Sequence, residues 1–258
     1  MYYIGVRVFP GLLFSESERL AAHCRQHFLH HFVKPFRKRK GRQEEANMGA
    51  HRTPDELKPE IVRGTLNIVA TGGIANFSFP KLTAETGISA PTVYEHYKNK
   101  EELLTTCFLA IDREIADCIN QAIKGLPPET RNGADTEARC RFVFHTHWHY
   151  LISHAEKTVF FWSFLNSNYY THKMQEQHGK HYTMLRDLIT AAEEKTCRET
   201  QCDINLLAAH LVNAAAEYAS KTLRGYYKND NATENTVYHM VFQPVYAALG
   251  GVTESTNQ

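Results

Sequence analysis

Apolar residues recur at spacings of three and four from residue 59 to residue 249, and strict apolar/polar alternation is almost absent. That period puts side chains on one face of an α-helix and does not suit a half-buried strand, so the chain is expected to be nearly all helix. With 258 residues, 43% of them hydrophobic, it can bury a full core, as one large domain or as one small plus one larger. No apolar run reaches the roughly 20 residues that cross a bilayer, and the N-terminus lacks a basic start followed by a small-residue cleavage site. A cytoplasmic protein is expected. Cys24, Cys107, Cys118, Cys140, Cys197 and Cys202 form no CxxC pair and read as reduced, half-buried residues.

Three blocks follow from the punctuation: an extension over 1–50, a compact helical domain over 51–104, and a larger helical domain over 105–250. The extension carries "KPFRKRKGR", six basic residues in nine. In a bacterial source, Glu44-Glu45 would be encoded by a purine run just upstream of Met48, where a ribosome-binding site lies. Residues 1–47 are then untranslated sequence, with Met48 as the start. The rival reading is a disordered basic arm that adds phosphate contacts or enters a minor groove.

In the second block, helix starts and stops can be read from caps. The first helix is expected to begin near Pro59 and close at Gly72-Gly73. The second opens at "SFP" and the third at "SAP". In each the serine can cap a first-turn N–H, and the proline sits in the first turn, where its missing N–H is harmless. Only "TGI" separates these two helices, so they must cross sharply, with Gly87 making the turn and Ile88 plugging the angle. This is a helix-turn-helix. On its second helix Val93 and Tyr97 point inward, which sends Pro91 and Glu95 outward with Thr92 and Tyr94 beside them. Hydroxyls of Thr92 and Tyr94 suit phosphates or base edges, Ala90 and Pro91 can touch a thymine methyl, and His96 can donate to a phosphate. A fourth helix begins at "NKEE", with Asn99 as cap and Glu102 completing a capping box. Its free N–H groups and Lys100 are expected to grip a phosphate.

The span "FSFPKLTAETGISAPTVYEHYKNKEELL", residues 77–104, resembles the DNA-binding region of the TetR family of transcriptional regulators. The resemblance is strong over 59–104 and architectural beyond. It implies an all-α chain: a three-helix DNA-binding domain, then a larger ligand-binding and dimerisation domain. It further implies a homodimer on a palindromic double-stranded operator, released by a small-molecule effector, and carries DNA contacts to Ser78, Lys81, Ser89, Thr92, Tyr94, His96 and Lys100. The chain departs from the family with Thr83 and Thr86 where alanines are usual, with Pro80 and Ala90 where polar contacts occur, and with acidic Glu95 outside. Residues 48–104 hold six Lys/Arg and seven Asp/Glu, a net charge of −1 with His neutral, so non-specific attraction to DNA is expected to be weak.

In the third block, Phe144, His147, Trp148, Phe161, Trp162, Phe164 and Tyr169 are candidates to line an effector pocket or to fill core. His145 and His149 are four apart and could share a metal, with His178 and His181 adding to it. No carboxylate or thiolate visibly converges on them, so an organic effector is preferred over a metal. Ala208, Ala215 and Ala219 on one helix, with Val241, Val245 and Ala248 on the last, are expected to meet a second subunit or to complete a monomeric core. Pro244 is expected to kink the last helix. No cofactor or catalytic motif is present: no G-x-S-x-G, HExxH, phosphate loop or paired carboxylates. The chain therefore reads as a regulator and not an enzyme. The alternative is a protein-interaction adaptor with a repurposed helix-turn-helix.

Overall fold

The computed structural model describes residues 54–126, 136–196 and 203–248, all within one compact unit. The readings of 1–47, of Cys24, Cys197 and Cys202, and of the C-terminal tail lie outside these residues. Every regular element among the described residues is helical: α1 (Pro54–Gly72), a 3-10 turn (Ile74–Asn76), α2 (Phe79–Thr86), α3 (Ala90–His96), α4 (Lys100–Lys124), α5 (Thr136–Ser153), α6 (Ala155–Leu165), α7 (His172–His181), α8 (Thr183–Thr196), α9 (Ile204–Leu223) and α10 (Asn231–Ala248).

The caps explain the first four boundaries. Helix α1 starts at Pro54, one turn earlier than expected, so Pro59 lies inside the helix and removes one intrahelical hydrogen bond near its start. It closes before Gly73, whose φ of 79° is open to glycine at little cost. The Ser78 side chain accepts from Lys81 N at 3.5 Å and Ser89 from Thr92 N at 3.4 Å, each with proline in the first turn. Asn99 accepts from Glu102 N at 2.8 Å, while Glu102 reaches back to Lys98 N at 2.7 Å, one residue before the expected partner.

Helices α1 and α2 approach closely because Gly64 has no side chain. A Cβ there would lie 2.4 Å from Thr86 Cγ2 and 3.0 Å from Leu82 Cδ1. Gly87 (φ 73°) then turns the chain, and buried Ile88 fills the angle. A single hydrophobic core runs from Ile61 through Phe108 and Phe161 to Val245. Helix α4 crosses residue 104 without interruption, and α1 packs along α6, so helix-turn-helix and larger domain share that core.

Ala208, Ala215 and Ala219 are fully buried within this single chain, as are Val241 and Val245. Their small size lets α9 sit against α5, α6 and α8. They therefore complete the monomer's own core. Among the described side chains of α9 and α10, the large apolar ones left outside are Leu206 and Met240, 65% and 50% exposed.

Candidate nucleic-acid interface

Val93 is wholly buried and Tyr97 nearly so, which anchors one side of α3 and turns the other outward. Pro91, Tyr94 and Glu95 are exposed there, with Ala90 and Thr92 half-buried beside them. Tyr94 stands edge-on to Phe79 at 4.8 Å between ring centres, so its ring is braced by α2 while its hydroxyl stays free for a partner. Ser89 Oγ and Thr92 Oγ1 are 2.9 Å apart. That contact fixes both hydroxyls at the N-terminal end of α3, where the backbone N–H groups also favour an anion.

Other expected contacts are engaged within the chain. Lys81 is exposed and its ammonium bonds the Asn76 side chain, which ties the start of α2 to the preceding turn. Ser78 is half-buried as the α2 cap. His96 Nε2 is shielded from solvent with no partner, so a phosphate contact through that atom requires the ring to turn. Lys100 donates to the Ile74 carbonyl at 3.3 Å, and its ammonium lies 5.8 Å from the Phe77 ring centre and 5.7 Å from that of Tyr169. A lysine expected at a phosphate is thus drawn toward the turn after α1 and the loop between α6 and α7.

The candidate pocket residues fall into two aromatic groups. Phe161 and Phe164 stack on Phe108 at 5.3 and 4.5 Å, with Tyr169 against Phe164. Phe144 and Trp148 stack on one another, and Phe144 meets Tyr238 of α10. His147 is buried on α5, and burial lowers its pKa to about 3, so the ring is neutral. Trp162 is half-buried on α6. A cleft of about 490 Å³ lies elsewhere, lined by Gln175, Glu176, Gly179, Lys180, Arg186 and Asn205.

Both histidine pairs meet a carboxylate, contrary to the sequence reading. His145 Nδ1 bonds Glu234, and His149 Nε2 lies 3.5 Å from the same oxygen. His178 and His181 each place Nδ1 2.6 Å from one oxygen of Asp112. Long-range pairing of α4 with α7 and of α5 with α10 was invisible in local spacing. One signal was present: Asp112 lies four residues after Phe108 and eight after Leu104, on the apolar stripe of α4. Among the described residues no group of three such side chains is arranged to hold a metal ion, and no helix is long and apolar enough to cross a membrane.

The fold is similar to that of a TetR family transcription regulator from Marinobacter aquaeolei VT8, with a TM-score of 0.59 and 18% identity over 75% of this chain and 95% of that one. It is also similar to the fatty acid degradation regulator FadR from Bacillus halodurans (TM-score 0.55, 18% identity, 76% and 99% covered). A third likeness is to FadR from Bacillus subtilis, solved in complex with stearoyl-CoA (TM-score 0.55, 16% identity, 76% and 99% covered). At these identities the likeness concerns the fold. No curated protein matches the chain. Residues 61–107, which hold the helix-turn-helix and the start of α4, match the model for bacterial regulatory proteins of the tetR family. That tetR-family segment is thus joined to a larger all-helical domain, and the chain as a whole has the fold of solved TetR family regulators.

Proposed function

We propose that the protein is a repressor that acts in the cytoplasm as a homodimer, binds a palindromic operator, and is released by a small organic molecule. Residues 51–104 read DNA and residues 105–250 sense the effector and dimerise. The observation that carries the reading is α3: one face anchored by Val93 and Tyr97, the other presenting Ala90, Pro91, Thr92 and Tyr94 outward. A helix held this way can enter a major groove while Ser78, Lys81, Ser89, His96 and Lys100 reach the flanking phosphates. The effector reading is supported by the aromatic interior around Phe108, Phe161 and Phe164, and by the similar fold that accepts stearoyl-CoA in the Bacillus subtilis regulator. The chain acts by binding and not by catalysis.

The test is recovery of genomic fragments protected by the purified chain. One palindrome beside a transporter or enzyme gene supports the reading and nominates the effector class from its neighbour. Absence of any enriched site, with and without cell extract metabolites, refutes it in favour of an adaptor, which exposed Glu95 would suit.

A further inference from the structure

Glu95 is exposed on the outward face of α3 and has no hydrogen bond or ion pair among the described residues. The neighbouring acids are used by the fold. Glu60 pairs with Arg63 at 3.4 Å, Glu85 accepts from the Asn67 side chain at 3.4 Å, Glu102 accepts from Lys98 N at 2.7 Å, and Glu101 stands in the first turn of α4, where free N–H groups favour a carboxylate. Glu95 lies instead in the last turn of α3, where the carbonyl end of the helix disfavours one. The fold therefore gains nothing from a carboxylate here. Four residues separate Pro91 from Glu95, so both lie on the side of α3 opposite buried Val93. The seven residues of α3 rise roughly 10 Å, less than the width of a major groove at about 12 Å, so Glu95 enters with Pro91 and does not stop at the rim. On the same face Ala90, Pro91 and Thr92 are short, Thr92 Oγ1 is 2.9 Å from Ser89 Oγ, and the Tyr94 ring is braced on Phe79. Glu95 is the long side chain whose acceptors are uncommitted.

We infer that Glu95 is a specificity-determining residue: its carboxylate accepts from the N4 amino group of a cytosine and so fixes one C·G pair in each half of the operator. The inference rests on the DNA-reading role proposed above for α3. A carboxylate offers only lone pairs, so it needs a donor, and the phosphates of the backbone repel it. Most groups on the floor of the major groove are acceptors as well: guanine N7 and O6, thymine O4 and adenine N7. The adenine N6 donor stands beside the N7 acceptor of the same base, whereas cytosine presents its N4 amino group there with no acceptor of its own. Cytosine is therefore the base that a carboxylate in this groove selects.

The test selects duplexes from a randomised pool with the full chain as wild type, Glu95→Gln and Glu95→Ala, and then measures affinity for all four base pairs at each enriched position. The wild type is expected to prefer cytosine at one position of each half-site by about tenfold. Glutamine both donates and accepts, so Glu95→Gln is expected to move that position to adenine. Glu95→Ala is expected to bring the four bases there within about threefold of one another and to leave every other position unchanged. Losing a charge near phosphates would raise affinity for all sequences alike and alter no preference. The same selected site in all three proteins therefore overturns the inference, as does a wild-type site without cytosine at the position that the substitutions affect. Thermal melting of the variants should match the wild type, because the side chain has no partner to lose. A wild type that enriches no sequence refutes the DNA-reading role and the inference with it, whereas an enriched site indifferent to residue 95 removes the inference alone.

Discussion

The Lys100 ammonium sits 5.7 Å from the centre of the Tyr169 ring while donating to the Ile74 carbonyl, so the first residue of α4 is held by the loop between α6 and α7. A cation over an aromatic face at this distance is worth about 0.5–1 kcal/mol at a partly exposed site. To reach a phosphate, Lys100 must leave the Ile74 carbonyl and the Phe77 and Tyr169 rings. Tyr169→Leu is therefore expected to tighten operator binding by about two- to fivefold. Lys100→Gln is expected to weaken it and to lower the salt slope by about one per subunit. Fluorescence anisotropy across a salt series checks both, and a Tyr169→Leu chain that binds DNA more weakly would reverse the proposed direction.

The pair Thr92→Ala and Tyr94→Ala removes the outward hydroxyls of α3. Specific DNA binding should be lost if, as proposed, this outward face of α3 reads the groove. Stability should fall by only about 1–2 kcal/mol, the cost of one edge-on ring contact with Phe79 and one exposed hydroxyl pair. Gel shift with the operator and thermal melting measure the two effects on the same sample. Unchanged affinity would remove α3 as the reading surface.

Gly64 and Thr86 form a steric pair between α1 and α2. Gly64→Ala brings a methyl to 2.4 Å from Thr86 Cγ2, on a β-branched side chain that cannot swing away freely. The expected loss is about 1–3 kcal/mol, the usual cost of overpacking. Thr86→Ser deletes the clashing carbon and should restore part of it in the double variant. Urea melts of the four proteins give the coupling, and strictly additive losses would contradict the geometry.

His147 ties stability to pH. Its pKa is depressed to about 3 when folded against an ordinary 6.5, so the unfolded chain binds the extra proton first as pH falls. Stability from this group is fully present above pH 6.5 and is lost as pH drops toward 3. Between pH 6.5 and 5 the loss approaches about 2 kcal/mol. Because other groups titrate in the same range, the comparison is between wild type and His147→Leu. The wild type should lose more stability than the variant from pH 7 to pH 5, and parallel curves would show that His147 is not held neutral.

Leu206 and Met240 are the large aliphatic side chains that α9 and α10 leave exposed. If these helices pair with a second subunit, the double change Leu206→Glu and Met240→Glu places carboxylates in that interface. It should raise the dimer dissociation constant at least a hundredfold, about 3 kcal/mol, with the monomer fold preserved. Sedimentation equilibrium reports the outcome. An unchanged association constant would move the interface to another face.

Local chemistry alone settled the helix-turn-helix. The serine caps, first-turn prolines, left-handed Gly87 and inward Val93 and Tyr97 act within a few residues of one another, so their consequences can be read in order along the chain. The start of α1 was misplaced because a proline is tolerated inside a first turn or two as well as at the helix start, and nothing local distinguishes the cases. Small residues on α9 were equally ambiguous, since a partner helix within the chain and one from a second subunit demand the same stripe. Only tertiary structure decided that Ala208, Ala215 and Ala219 face inward, that Lys100 turns toward Tyr169, and that Asp112 gathers His178, His181 and Tyr182. Those contacts join residues 66 to 70 positions apart, and in the first case depend on which helices stack. Periodicity names the face a residue occupies, but what covers that face is determined by the packing of the whole core.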